Sequence, residues 1–217
     1  WITSLKDRKA ARFNVKVKDT DAGISSSAAR FDVAQHNGDT VILEGTKASY
    51  IAASTVSEDG DTTIKADMQT LIGGDTIAFI NMKTGMIYLN MPVLKTGNVW
   101  AGASSDVKSV NPTTASPKMK LGTGGRIAVT HDGAIYGYRQ SDGAILKMDG
   151  PQATPGKVTE IGANQRLRAD SFTVVANTPV LTSGNAIHWP NGSAEVSMSG
   201  TLVLQAPPTD DRQSGWG

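Results

Sequence analysis

The chain contains no cysteine. Disulfides, thiolate metal ligands and thiol nucleophiles are excluded together, so its 217 residues must hold a fold by burial and hydrogen bonding alone. No stretch approaches the roughly 18 to 20 apolar residues of a membrane-spanning helix, and no signal-peptide core is present. Charge of one sign is missing too. Lys and Arg number 21 against 20 Asp and Glu, a formal net charge of +1, which gives no electrostatic reason to expect nucleic acid or an anionic membrane as partner. Aromatic residues are scarce, at 6%. No segment carries an apolar stripe at i, i+3, i+4 and i+7 over three turns, the nearest being Gln165–Asp170. A parallel sheet needs helical crossovers of about a dozen residues, and without them the chain reads as all-β.

What the chain does have is a repeat. Four times a short apolar run meets a Gly/Asp/Asn turn and a second apolar run follows. The first copy is Phe31–Val33, the turn Asn37–Asp39 and Thr40–Leu43. The second is Leu71–Ile72, Gly73–Asp75, Thr76–Ile80, Lys83–Gly85 and Met86–Leu89. The third runs Met119–Leu121, Gly122–Gly125, Ile127–Val129, His131–Gly133, Ile135–Tyr138, Ser141–Gly143 and Ile145–Leu146. The fourth is Phe172–Val175, Asn177–Thr178, Val180–Leu181, Ser183–Asn185, Ile187–Trp189, Pro190–Gly192 and Ala194–Val196. Matched landmarks lie 36, 51 and 49 residues apart (Asn37 to Gly73, Gly73 to Gly124, Asp142 to Asn191). An uneven period with four strand–turn units per copy predicts one β-propeller-like array of about four four-stranded antiparallel blades. It forms a single domain over 1–217, with repeats near 25–60, 61–117, 118–170 and 171–205. Ile77–Ile80 is apolar on both alternating faces, as a strand sandwiched between neighbouring sheets would be.

Residues 1 to 24 read as two strands, Trp1–Thr3 and Phe13–Lys18, with a helical turn at Leu5–Arg12 and a turn at Asp19–Gly23, adding to a neighbouring blade. Connectors are expected at Ser57–Asp61, Lys95–Lys118 and Gly150–Asp170. The chain opens on Trp1 and reads as a piece of a longer protein. Thr201–Leu204 is the first strand of a further repeat that is not completed. An arc left open exposes two apolar sheet faces, so self-association is expected.

Candidate chemistry is sparse. His36, His131 and His188 sit at or beside turns in different repeats, at non-equivalent positions and without ligand spacing, so no metal site is predicted. The acidic runs Asp19–Asp21 and Glu58–Asp61 are too short for a calcium loop and read as surface turns. Gly122–Arg126 lacks the Lys-Ser/Thr and helix of a phosphate cradle and reads as a hairpin turn. No Gly-x-Ser-x-Gly elbow is present. Trp100, Trp189 and Trp216, with Tyr50, Tyr88, Tyr136 and Tyr138, either line a binding face or fill space between sheets, and strand aromatics favour filling. The basic cluster Lys6, Arg8, Lys9, Arg12, Lys16 and Lys18 reads as a solvated strand–loop face. Asn191–Ser193 fits a glycosylation sequon in a hairpin turn. No catalytic, cofactor-binding or metal residue is assigned, and no cofactor is expected.

The order Trp1–Thr3, Arg12–Val17, then Ala29–Leu43, with Leu71–Ile77 and Gly125–Gly133 later, resembles the propeller-like N-terminal region of large exported Gram-positive proteins that carry fibronectin type III or immunoglobulin-like repeats. The resemblance covers nearly the whole chain, rests on strand texture and brings no catalytic residues. It implies an extracellular or cell-envelope setting and a non-enzymatic structural or binding module for an unknown surface glycan or protein. No nucleic-acid partner and no membrane insertion by this segment are expected. The alternative is a polysaccharide-acting hydrolase or lyase with its site on the axial face.

Overall fold

Alternating β-branched and aromatic residues between Gly-, Asn- and Asp-centred turns build antiparallel meanders in the computed structural model. It describes residues 1–28, 31–36, 39–44, 47–51, 58–63, 68–82, 95–112, 114–197, 202 and 204. A first, three-stranded sheet contains β1 (Ile2–Ser4), β2 (Lys9–Asn14) and β3 (Asp19–Ser25). Four four-stranded sheets follow. The second contains β4 (Phe31–His36), β5 (Asp39–Glu44), β6 (Lys47–Ile51) and β7 (Glu58–Thr63). The third contains β8 (Met68–Gly73), β9 (Thr76–Asn81), β10 (Asn98–Ala103) and β11 (Met119–Lys120). The fourth contains β12 (Arg126–Val129), β13 (Ile135–Arg139), β14 (Ala144–Met148) and β15 (Gly156–Glu160), and the fifth β16 (Ser171–Val175), β17 (Thr178–Ser183), β18 (Ala186–Trp189) and β19 (Gly192–Glu195). The leading strands β4, β8, β12 and β16 lie side by side in succession. The chain is a β-propeller-like arc of four four-stranded blades, and among the described residues the arc is not closed.

Each sheet is held by what covers its two faces. In β9 every residue is buried. Ile77 and Phe79 pack with Val41 and Tyr50 of the second sheet, Trp100, Val107 and Val110. Ala78 and Ile80 point the other way, into a cluster with Val99, Leu121, Ile127, Ile135 and Met148. Between the fourth and fifth sheets, Ala128, Tyr136, Tyr138 and Ile145 meet Val174 and Leu181. Full burial of one such side chain contributes roughly 1.5 to 3 kcal/mol. Gly137 is strand glycine for a packing reason: a Cβ there would lie 2.9 Å from Leu121 Cδ2 and 3.0 Å from Met119 Sδ.

Several expectations are corrected. Residues 1–25 do not extend a blade but make their own three-stranded sheet, which packs Ala10 with Phe31, Ile42 and Ile51. Asp19–Gly23 lies in strand β3 and not in a turn, while Val15–Lys18 is the turn, with Val15 77% and Val17 65% exposed. Leu5–Arg8 is a turn and Arg12 is in β2. The third strand of the third sheet is β10, inside the expected Lys95–Lys118 connector, whereas Met86–Leu89 lies outside the described residues. Met119 and Lys120 pair with β10 and so close that sheet, and do not open the next. The rim strands β7 and β15 fall where connectors were expected. A short 3₁₀ helix at Ser104–Ser109, unforeseen, places Val107 in the core.

Phe79 is 0% exposed and Phe13 43%. Phe79→Ala should therefore cost about 3 to 5 kcal/mol and Phe13→Ala under about 1 kcal/mol, read as urea midpoints at constant slope. Equal losses would contradict the sandwich packing.

Candidate functional site

In a meander blade, the starts of the leading strands and the turns joining second to third strands lie at one end. At that end of the fourth and fifth sheets, the loop of residues 161–170 crosses from β15 to β16. Its course is dictated from below. The Tyr138 hydroxyl, on a fully buried ring, donates to Leu167 O (2.8 Å), and Gln140 Nε2 donates to Arg166 O (3.1 Å). Ile161 N donates to Gly143 O (2.9 Å) in the β13–β14 turn. Leu167 turns inward against the core, leaving Arg166 and Arg168 exposed. The loop carries three left-handed residues, Gly162, Asn164 and Arg166, with φ of 57°, 69° and 51°. For Arg166 this is a strained conformation that its surroundings must enforce.

Arg126 opens β12 and shares the face of Tyr138, its cross-strand partner. Its half-buried guanidinium donates through Nη1 to Gly125 O (3.1 Å). Burial holds it below its ordinary pKa, with Asp170 opposing that shift and Arg168 adding to it. A guanidinium stays charged regardless. The Asp170 carboxylate accepts from Gly184 N (2.8 Å), anchoring the β17–β18 turn. Asp142, in the β13–β14 turn, accepts two bonds from Arg139, at 2.9 and 2.7 Å. The Arg139 guanidinium holds the Asp142 carboxyl at about 2. Burial, then Asp142, pushes Tyr138 up to about 12. Arg126 thus lies in the fields of Asp170 and Arg168, while Arg166 and Arg168 are exposed on a pinned loop.

At the opposite end, the β8–β9 and β12–β13 turns touch backbone to backbone. A Cβ on Gly74 would sit 2.9 Å from His131 O and from Gly133 N. His131 belongs to this packed turn, where Thr130 Oγ1 donates to Asp132. His36 ends β4, and His188 lies in β18 opposite Leu181, where burial lowers its pKa. The three histidines thus belong to three different sheets. Among the described residues, no group of three His, Asp or Glu is placed to hold a metal ion.

The other singled-out residues have structural positions. Tyr50, Trp100, Tyr136 and Tyr138 are buried between sheets, with Trp100 Nε1 donating to Ala115 O (2.8 Å), and Trp189 is half-buried. Tyr88 and Trp216 lie outside the described residues. Asp21 accepts from Arg12 Nε (2.8 Å) and Asn14 Nδ2 (3.0 Å), and Glu58–Asp61 lies in β7 and not in a turn. Gly122–Arg126 is not a hairpin turn, because it joins β11 of one sheet to β12 of the next. Asn191 and Ser193 are exposed at the β18–β19 turn. Sequence reading did not single out Arg166, Arg168 or Asp170, which it placed in a connector. The available signal was the alternation of two arginines behind the turn-forming Gly162 and Asn164.

No protein-family model matches the chain, and no curated protein matches it in sequence. Solved structures do match in shape. Kluyveromyces marxianus Hsv2 superposes with a TM-score of 0.54 at 11% identity, over 94% of this chain and 58% of that one. Dihydro-heme d1 dehydrogenase NirN, in complex with DHE, gives 0.56 at 12% identity, over 90% and 43%. A KlHsv2 with its loop 6CD replaced by a Gly-Ser linker gives 0.58 at 10% identity, over 94% and 67%. These are β-propellers. At such identity the likeness establishes the fold alone. The chain spans 43%, 58% and 67% of the lengths of the three.

Two predictions follow from the pinned loop and its neighbouring ion pair. Tyr138→Phe removes the bond to Leu167 O and should cost about 1 kcal/mol. Amide exchange should speed up at residues 162–168 but not in β9; uniform acceleration would show that the hydroxyl does not anchor the loop. Asp142 has a depressed folded pKa, so its contribution is complete above the ordinary carboxylate value and is lost as pH falls toward about 2. The pair is partly exposed, so Asp142→Asn should cost under about 1 kcal/mol at neutral pH. That difference in urea midpoint should shrink between about pH 4 and pH 2; a pH-independent difference would exclude the ion pair as its source.

Proposed function

We propose that this chain is a non-enzymatic binding module of an exported, cell-surface bacterial protein, recognising a surface glycan or protein through the end of the arc where loop 161–170 crosses between blades. One observation carries the reading. Arg166 and Arg168 are exposed on that loop, Arg126 opens the neighbouring strand β12, and none of the three forms an ion pair among the described residues. Elsewhere Arg12, Arg139, Lys147 and Lys157 are each matched to an acid within 2.8 Å, while other cations without an ion pair, such as Lys6, Lys9, Lys16 and Lys18, lie exposed about the first sheet. Unmatched cations on a rigid, strained loop suit recognition of an external partner.

The nearby carboxylates support binding over catalysis. Asp142 is committed to Arg139 and ionised far below neutral pH, and Asp170 is committed to the Gly184 amide. A general acid needs a pKa raised toward its working pH. The exported setting rests on the resemblance of the strands to the envelope repeat proteins.

Glycan and extracellular-matrix arrays probed with this chain should yield a specific ligand whose signal falls in Arg168→Gln. Incubation of the bound polysaccharide should release no new reducing ends. A steady release would replace the module with the hydrolase or lyase reading, and an array without specific signal would leave a purely structural role.

A further inference from the structure

We infer that the outer face of the first sheet, with the turns at its two ends, docks on an anionic phospholipid membrane. It adsorbs at the interface and does not span it. This goes beyond the binding-module reading and uses a different part of the molecule.

Exposed apolar side chains collect there. Of six large hydrophobic residues exposed among the described residues, five belong to this sheet: Ile2, Leu5, Phe13, Val15 and Val17. Scattered exposed hydrophobics need no explanation, but a concentration of them marks a contact surface. The strand register places them. Ile2 stands opposite Ala11, and Lys9, Ala11 and Phe13 alternate along β2 on the side away from Ala10. Ala10 is buried with Phe31, Ile42 and Ile51, so the other side faces outward. Leu5 lies in the β1–β2 turn, and Val15 and Val17 in the β2–β3 turn, at the two ends of the same strand.

Charge is segregated on the same sheet. Residues 1–25 carry six Lys and Arg against three Asp, an excess hidden in the net charge of +1. The acids are already engaged. Asp7 accepts from Ser4 Oγ (2.8 Å) and Asp19 from Thr20 N (2.7 Å). Asp21 is held by Arg12 and Asn14, which alternate with Phe13 and so lie on the other side of β2. Lys6, Arg8, Lys9, Lys16 and Lys18 are exposed and form no ion pair among the described residues. Both turns also end on a cation in the left-handed region, Arg8 at φ 53° and Lys18 at φ 57°. Glycine would sit there unstrained, so a long basic side chain is kept at a cost in backbone strain.

The two properties together select the partner. A soluble polyanion would neutralise the cations and leave Ile2, Phe13 and the two valines in water. A second copy is a poor complement. First sheet against first sheet sets like charges together, and the fifth sheet holds one acid, Glu195. The alternation Val15–Lys16–Val17–Lys18 fits a lipid interface, where apolar side chains enter the acyl boundary and cations stay among the phosphates.

The test is co-sedimentation of the folded chain with phosphatidylcholine vesicles containing phosphatidylglycerol, at low and high NaCl. Pure phosphatidylcholine vesicles, soluble glycerol phosphate as competitor and a polyglutamate peptide are the comparison arms. The chain should partition onto the anionic vesicles, less so in high salt, and far less onto the neutral ones. Lys16→Gln with Lys18→Gln, and separately Val15→Ser with Val17→Ser, should each lower that partition about tenfold or more. All four side chains are exposed, so replacing them leaves the core untouched. Lys108→Gln with Lys120→Gln, exposed cations of the 3₁₀ helix and β11, should change nothing. Equal loss in that control pair would overturn the face. Unaffected binding in the valine variant would reduce the contact to charge alone and overturn membrane docking. Failure to bind anionic vesicles, competition by glycerol phosphate or tighter binding of polyglutamate would overturn the partner. A lipid-free dimer that the same turn variants dissociate would assign the face to a second copy instead.

Discussion

Both faces of every blade must be covered. A four-stranded meander whose inner strands are apolar on both sides cannot stand in water, and β9 is the plainest case, with Ile77 and Phe79 buried toward one neighbour and Ala78 and Ile80 toward the other. Neighbouring sheets therefore stack in chain order, and the stacking fixes everything else: the side-by-side leading strands, the rim position of polar strands and the placement of loops at two ends. Even the glycines answer to it. Gly137 exists because Leu121 and Met119, from the preceding stretch of chain, occupy the space above it.

The same constraint shapes the two terminal sheets. The first sheet spends one face on Phe31, Ile42 and Ile51, and its other side carries Ile2 and Phe13, both well exposed. The last sheet turns Phe172 and Leu181 inward. Its other face is marked by hydroxyls: Ser171 and Thr182 lie 2.6 Å apart, Thr182 donates to Leu202 O (2.9 Å) and Leu204 N donates to Ser171 Oγ (2.8 Å). A polar seam with chain laid across it is a different solution from the apolar interfaces inside the arc, because hydrogen bonds can bind a segment that buries little.

Function is drawn from the loops because the blades are used up by packing. The loop of residues 161–170 is held by a buried tyrosine hydroxyl and by the amide of Gln140, so the core reaches the surface through two hydrogen bonds. The strain at Asn164 and Arg166 is tolerated because those bonds and the inward Leu167 over-determine the backbone. The resulting charge pattern could not be seen in a net charge of +1.

Four of the strands were legible in the amino-acid sequence because burial leaves runs rich in apolar residues: Phe31–Val33, Ile77–Ile80, Ile127–Val129 and Phe172–Val175 all lie in strands. Turn chemistry was legible for a related reason, since Gly74, Gly133 and Gly143 hold positive φ that glycine adopts without strain. Rim strands were not. Glu58–Thr63 and Gly156–Glu160 pair along one edge of their sheets, and β15 and β19 bury little, so no periodic apolar signal distinguishes them from connectors. The pairing of Met119 with β10 was hidden as well, because two residues carry no period and only the neighbouring strand assigns them. The sequence by itself determined an all-β array of repeated meanders. Which strands pair at each rim, and that Arg126 lies in the fields of Arg168 and Asp170 some forty residues on, were decided by tertiary structure, because cross-sheet proximity comes from stacking two blades and leaves no mark in local order.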